Sequence, residues 1–226
     1  MKIAFLHYHL KPGGVSTVIR QQIAALAGRA EMLLLTGTPP DEAVSVPAAV
    51  IPGIGYDSAG QPAEHPEATP EQTADHILRN IHSHWPQGCD ILHVHNPLLA
   101  KNARFPAVLS RLQAKGTRLL LQVHDFAEDG RPNAYYSRAA YPADCHYCVI
   151  NARDKAYLLS SGLSEKGLHR LPNMVNPFDI SPEKKIDQDF VLYPVRAIRR
   201  KNIGEAMLLS LFFAPRTRLA ITLPPN

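Results

Sequence analysis

Ile3-Ala4-Phe5-Leu6-His7-Tyr8, followed by Lys11-Pro12-Gly13-Gly14, is the stretch whose reading decides the fold. The first part is a short apolar run without a charge, as a parallel strand buried on both faces requires. Beyond the glycines, Val15, Val18, Ile19, Ile23 and Leu26 recur at helical spacing. Strand, glycine-rich turn and amphipathic helix open a doubly wound α/β domain with a parallel sheet. In that architecture ligands bind beyond the carboxyl ends of the strands.

Working outward, residues 31–37 predict the next strand, with Leu33, Leu34 and Leu35 continuous. A further strand is expected within 44–52, and 53–70 reads as a surface loop with little to bury. Thr69-Pro70-Glu71-Gln72 starts a helix, with Thr as N-cap, Pro at N1 and Gln at N3. Its apolar stripe is Ala74, Ile77, Leu78, Ile81 and Trp85. Strands follow over 90–95, 118–124, 145–151 and 168–172. Asn96-Pro97 reads as the cap of the next helix, and Phe105-Pro106 as a break within it, because an interior Pro removes a hydrogen bond. Gly116 ends that helix, and Gly162 ends the helix that follows strand 145–151. Residues 179–189 have the composition of a linker. Strand 190–195, helix 201–214 and strand 219–223 then form one βαβ. The expected organisation is a Rossmann-like domain over 1–178, the linker, and a partial second Rossmann-like unit over 190–226.

Composition limits the function classes. Hydrophobic residues make up 45% of the 226 and charged residues 19%, which excludes wholesale disorder and coiled coil. No span approaches the ~18 consecutive apolar residues of a membrane helix. The first apolar run is too short for a signal-peptide core. Three cysteines are too few for a disulfide framework and point to a reducing compartment, so a cytoplasmic protein is expected. The formal net charge of +4 favours an anionic ligand or surface without demanding nucleic acid.

Polar residues at the strand ends carry the chemistry. They are His7 and His9, His93, His95 and Asn96, then His124 and Asp125 with Glu128 and Asp129 close behind. Histidines at these ends read as facing one crevice, or as hydrogen-bonded strand-end residues. Gly13-Gly14 before a helix reads as an anion cradle or as a tight turn needing positive φ. The His pairs have i, i+2 spacing, but no third ligand sits at fixed spacing, so no metal is expected. Cys145-His146-Tyr147-Cys148 reads as a buried strand rather than a redox motif. Arg196 at a strand end and Lys201 at a helix start place two cations together. They fit a diphosphate, or a solvated basic turn.

In this order these pieces resemble a retaining glycosyltransferase of family 4, with the two-domain GT-B architecture. The matching residues are Gly13-Gly14, His95-Asn96, His124-Asp125, Leu171-Pro172-Asn173-Met174-Val175-Asn176-Pro177, and Arg196 with Lys201. The resemblance covers the whole chain, and it is the order and spacing that carry it. It implies a UDP- or GDP-linked sugar donor, a sugar or lipid-linked acceptor, no cofactor and no nucleic acid. It implies Arg196 and Lys201 as catalytic cations on the leaving diphosphate, with His124 by the reacting sugar. Gly13, Gly14, His95, Asn96, Asp125 and Asn173 are then expected to line the substrate site. Front-face retention needs no paired catalytic carboxylates.

The family's E-x7-E segment has no match, since Glu205 is the only acid after Lys201. The chain is therefore expected to be a truncated glycosyltransferase, inactive alone, with peripheral contact to an anionic membrane face and a homodimer as further expectations. The alternatives are a non-catalytic α/β binding or assembly module that has lost the donor site, and a histidine-rich metal hydrolase.

Overall fold

The computed structural model describes residues 1–57, 68–126, 142–174 and 189–223. Two compact units emerge, Met1–Asn176 and Pro177–Asn226. The first contains β1 (Lys2–His7), α1 (Gly14–Leu26), β2 (Glu31–Thr36), β3 (Ala48–Val50), α2 (Pro70–His84), β4 (Ile91–His95), α3 (Phe105–Ala114), β5 (Leu119–Val123), β6 (His146–Val149), α4 (Ala152–Ser160) and β7 (Leu168–Arg170). The strands form one sheet in the order β3-β2-β1-β4-β5-β6-β7, and every neighbouring pair is parallel. The doubly wound α/β reading therefore holds. Strand order reverses at β1, which pairs with β2 on one side and β4 on the other.

Alternation along the strands sorts the core into two layers. Ala4, Leu6, Leu33, Leu35, Leu92, Val94, Leu121 and Val123 pack against α2 and α3, in a cluster with Ile77, Ile81, Leu109 and Leu112. Ile3, Phe5, Met32 and Leu34 face the other way, onto Ile19 and Ile23 of α1. Fully burying one such aliphatic side chain contributes about 1.5–3 kcal/mol. Helix α2 begins as its sequence dictates. Thr69 accepts from the Gln72 N–H at 3.2 Å, and the Gln72 side chain accepts from the Thr69 N–H at 2.8 Å.

Four local expectations are corrected. Asn96 caps no helix, because it adopts a left-handed conformation (φ 56°) at the end of β4. Phe105-Pro106 starts α3 instead of breaking it, with Pro in the first turn, where its missing N–H costs nothing. The 44–52 strand shrinks to β3. Residues 53–57 do bury something: Ile54 is fully buried, and Asn102 donates to the carbonyls of Gly53 and Gly55, each at 2.8 Å. The rest of that loop, through residue 67, lies outside the described residues, as does nearly all of the expected linker.

The second unit holds β8 (Phe190–Arg196), a 3-10 turn over Arg199–Lys201, α5 (Ile203–Ser210) and β9 (Arg218–Leu223). β8 and β9 pair in parallel. Met207, Leu208 and Leu209 of α5 are exposed, as are Leu211 and Phe212 just beyond it. No helix among the described residues is long and apolar enough to cross a membrane.

Candidate functional site

The carboxyl ends of β1 and β4 meet where the strand order reverses, the place where doubly wound sheets open a crevice. His7 Nδ1 donates to the His95 carbonyl across this junction at 3.1 Å. His93 and His95 point to the α1 side of the sheet, beside Phe5, at ring separations of 5.3 and 6.0 Å. His93 Nε2 donates to Gln122 Oε1 at 2.9 Å, and Gln22 of α1 donates to the same oxygen at 2.9 Å. A buried polar layer therefore underlies the crevice.

Of the two readings of these histidines, burial favours hydrogen-bonded strand-end residues for His7, His93 and His95. His7 is 3% exposed, His93 6% and His95 0%. Burial pushes the His7 imidazole down to about 3 and those of His93 and His124 to about 4. His95 is held well below the ordinary range by burial and by the neighbouring histidines. His9 is lowered too, chiefly by burial and then by Lys11. These rings are neutral at pH 7. Two of the strand-end histidines, His9 and His124, are only part-buried.

Asn96 ties the ends of β4 and β5 together. Its Oδ1 accepts the N–H groups of His124 at 3.3 Å and Asp125 at 3.2 Å, and its Nδ2 donates to Asp125 Oδ2 at 3.2 Å. His95 Nδ1 lies 2.9 Å from His124 Nε2. The structure thus brings His95, Asn96, His124 and Asp125 into one cluster. Glu128 and Asp129 fall outside the described residues.

Gly13 does not need glycine for a left-handed turn, since its φ of 170° is extended backbone. A Cβ on Gly14 would meet nothing within 4 Å, and one on Gly13 only the Lys11 carbonyl at 3.8 Å. The tight-turn reading is therefore set aside. The loop is braced by Ser16, whose hydroxyl donates to the Lys11 carbonyl at 2.7 Å. Open space above both glycines leaves the first N–H groups of α1 approachable.

Arg196 ends β8 in the second unit. Lys201 does not open α5 as expected. It closes the 3-10 turn, and left-handed Asn202 (φ 56°) separates it from the helix. Tyr193 Oη donates to the Lys201 carbonyl at 2.6 Å and fixes that turn against β8. Asn173 is exposed after β7, with no described contact to the His95–Asp125 cluster. Cys148 is buried in β6, and burial raises its thiol to about 12 and that of Cys145 to about 11, so both are protonated. Among the described residues no group of three or more His, Cys, Asp or Glu is placed to hold a metal ion. Sequence reasoning missed Gln22 and Gln122. The available signal was a Gln within the α1 stripe beside Val18, Ile19 and Ile23, and another inside an apolar strand.

No protein-family model matches the chain. The chain is 28% identical over 257 aligned positions to a mannosylglucosyl-3-phosphoglycerate synthase of Petrotoga mobilis (strain DSM 10674 / SJ95), covering 97% of this chain and 50% of that protein. It thus spans about half the length of this curated relative. Its fold is similar to that of Anabaena Alr3699/HepE in complex with UDP-glucose, with a TM-score of 0.60 at 15% identity, over 98% of this chain and 60% of HepE. Against HepE with UDP and glucose the TM-score is 0.62 at 14% identity, over 100% of this chain and 62% of HepE. The fold is thereby a Rossmann-like one shared with a protein solved with a nucleotide-sugar.

Proposed function

We propose that the chain is the acceptor-side domain, with the beginning of the donor domain, of a nucleotide-sugar glycosyltransferase. The observation that carries this reading is the open Gly13-Gly14 loop at the start of α1, in a chain related along nearly its whole length to a sugar-conjugate synthase. The donor is a UDP- or GDP-linked sugar, and HepE's complex with UDP-glucose supports that class. The relative's name supports an acceptor bearing a phosphoglycerate-like anion, which suits a chain of formal net charge +4. A neutral or lipid-linked sugar acceptor at the inner face of a membrane is the second acceptor class.

The finer assignment is a retaining GT-B enzyme of the family 4 type, with its domains over 1–178 and from 190 onward. Two compact α/β units, each with parallel strand pairing, support the GT-B part. In this mechanism the α1 N–H groups approach the donor diphosphate through the open glycine loop. His124 donates to a sugar hydroxyl. Asp125 and Asn96 shape the crevice that takes the acceptor, and Asn173 meets the substrate from the segment after β7. Arg196 and Lys201 offset charge growing on the departing diphosphate, stabilisation that is larger in the transition state than in the ground state.

The test is a transfer screen with the full protein that contains this chain. UDP- and GDP-sugars are paired with phosphoglycerate-bearing, neutral and lipid-linked sugars, and products are read by mass spectrometry and NMR. A product with the donor's anomeric configuration is expected. An inverted product overturns retention, and no product from any pair overturns the glycosyltransferase reading in favour of a non-catalytic module.

A further inference from the structure

We propose that His95 is a positioning residue: by donating its Nδ1–H to Nε2 of His124, it holds that ring in the Nδ1–H tautomer, ready to donate to a substrate oxygen. The proposal rests on the reading of His124 as the group that meets the sugar. His95 itself is fully buried and cannot touch a substrate, so any part it plays passes through a neighbour.

The geometry is that of a true in-plane bond. The two rings lie 13° from parallel, with centroids 5.2 Å apart. An N···N gap of 2.9 Å plus the two ring radii accounts for that separation. The imidazoles therefore meet edge to edge, each nitrogen in the plane of the other ring, as a linear N–H···N bond needs.

One hydrogen occupies that bond, and the far side of His95 decides which ring supplies it. His95 Nε2 is buried with no hydrogen-bond partner. If His124 donated, neutral His95 would carry its hydrogen on Nε2, leaving a buried N–H unpaired among the rings of Phe5 and His93. If His95 donates, the orphan is a bare acceptor nitrogen, and orphaned acceptors are tolerated more often than orphaned N–H groups. Double protonation is opposed by burial and by His93, His124 and His7 around the ring. Proton placement on one ring nitrogen is thus set by the bond the other nitrogen makes.

Both ends of the pair are anchored. The His95 carbonyl accepts from His7 Nδ1 at 3.1 Å, and the His124 N–H is held by Asn96 Oδ1 at 3.3 Å. His124, with Nε2 engaged as acceptor, keeps its hydrogen on Nδ1. It is then a neutral donor rather than a general base, suited to a hydroxyl or phosphate oxygen.

Long-range 1H–15N correlation spectra of the 15N-labelled 226-residue chain read the tautomer of each histidine directly, without any activity. The expected spectrum shows His124 with a protonated Nδ1 and a bare Nε2. His95→Leu, which cannot donate, leaves His124 exchanging between tautomers, whereas His95→Asn, whose amide donates from nearly the Nδ1 position, restores the single one. In the full protein, kcat of His95→Leu falls on the order of tenfold to a hundredfold, as for other outer-shell partners, with KM little changed and recovery in His95→Asn. Protonated Nε2 on His124 in the parent overturns the proposal, and does so even if His95→Leu does not fold. Unchanged kcat in a folded His95→Leu that has lost the single tautomer also overturns it. A full protein that transfers no sugar defeats the glycosyltransferase reading, while the parent spectrum still decides the tautomer.

Discussion

Asn96 and Asp125 hold each other twice: Asn96 Nδ2 donates to the Asp125 carboxylate, and Asn96 Oδ1 accepts the Asp125 N–H, each at 3.2 Å. The pair joins the ends of two neighbouring strands, and Asn96 adopts the left-handed conformation that such an approach requires. Asn and Gly tolerate that conformation best. The end of the sheet is thus locked at the residues expected to meet a ligand.

Replacing Asn96 separates the lock from the backbone strain. Asn96→Gly loses the side-chain bonds but keeps the backbone at ease, costing about 1–3 kcal/mol. Asn96→Ala adds left-handed strain of about 1–2 kcal/mol on top. Urea unfolding of the two variants checks both, and equal stabilities would remove the strain component.

The glycines divide by purpose. A Cβ on Gly37 would stand 2.4 Å from the Gly55 nitrogen and 2.8 Å from the Tyr8 carbonyl, so Gly37→Ala is expected to cost more than about 2 kcal/mol. Gly14→Ala meets open space and is expected to raise stability by about 0.4–1 kcal/mol while weakening diphosphate binding. Thermal unfolding and nucleotide titration are measured together. A Gly14→Ala protein that is less stable makes this glycine a structural one.

Stability should fall steeply in mild acid. His7 at about 3 and His93 and His124 at about 4 all lie below the ordinary 6.5. Below pH 6.5 the unfolded chain takes up these protons and the folded chain does not. The stabilisation is complete above that pH and is lost as pH drops toward 4. Each histidine contributes a slope of up to about 1.4 kcal/mol per pH unit. Denaturant midpoints at pH 7.5, 6 and 5 test this, and a flat profile would mean the rings are hydrated in the folded protein.

Much of the fold was legible in the sequence because apolar runs and turn chemistry are local signals. Leu33-Leu34-Leu35 has one use in a parallel sheet, and Thr69 through Gln72 spells a capping box. What was illegible depends on partners far along the chain. Asn102 looks like any loop residue until Gly53 and Gly55 arrive beneath it. Phe105-Pro106 marks a helix start only once the segment before it is known to be irregular. The histidines were visible as residues, but their burial depends on α1 covering β4 and β5 with Gln22 reaching Gln122. Lys201 lies two residues short of the helix that its sequence predicts it to open, because left-handed Asn202 carries no strong sequence mark.

The 226-residue chain alone is expected to bind UDP weakly, because a diphosphate held in an open, wet site is screened. Exposed Leu209, Leu211 and Phe212 favour association of copies at high concentration. Calorimetry and light scattering report on both. Tight UDP binding by a monomer would place a complete nucleotide site within this chain.

Arg196→Ala and Lys201→Ala, made in the full protein, are each expected to lower kcat on the order of 10²–10³-fold while leaving acceptor KM nearly unchanged. Turnover at the parent's rate in both would free these cations from any part in catalysis.

The most direct measurement of the central claim is acceptor-dependent release of nucleoside diphosphate by the full protein, followed as the glycosylated product accumulates in equal amount. The expected result is release that needs both a UDP- or GDP-sugar and a sugar acceptor, with one product formed per diphosphate. Diphosphate release that ignores the acceptor, or no release from any donor, would contradict it.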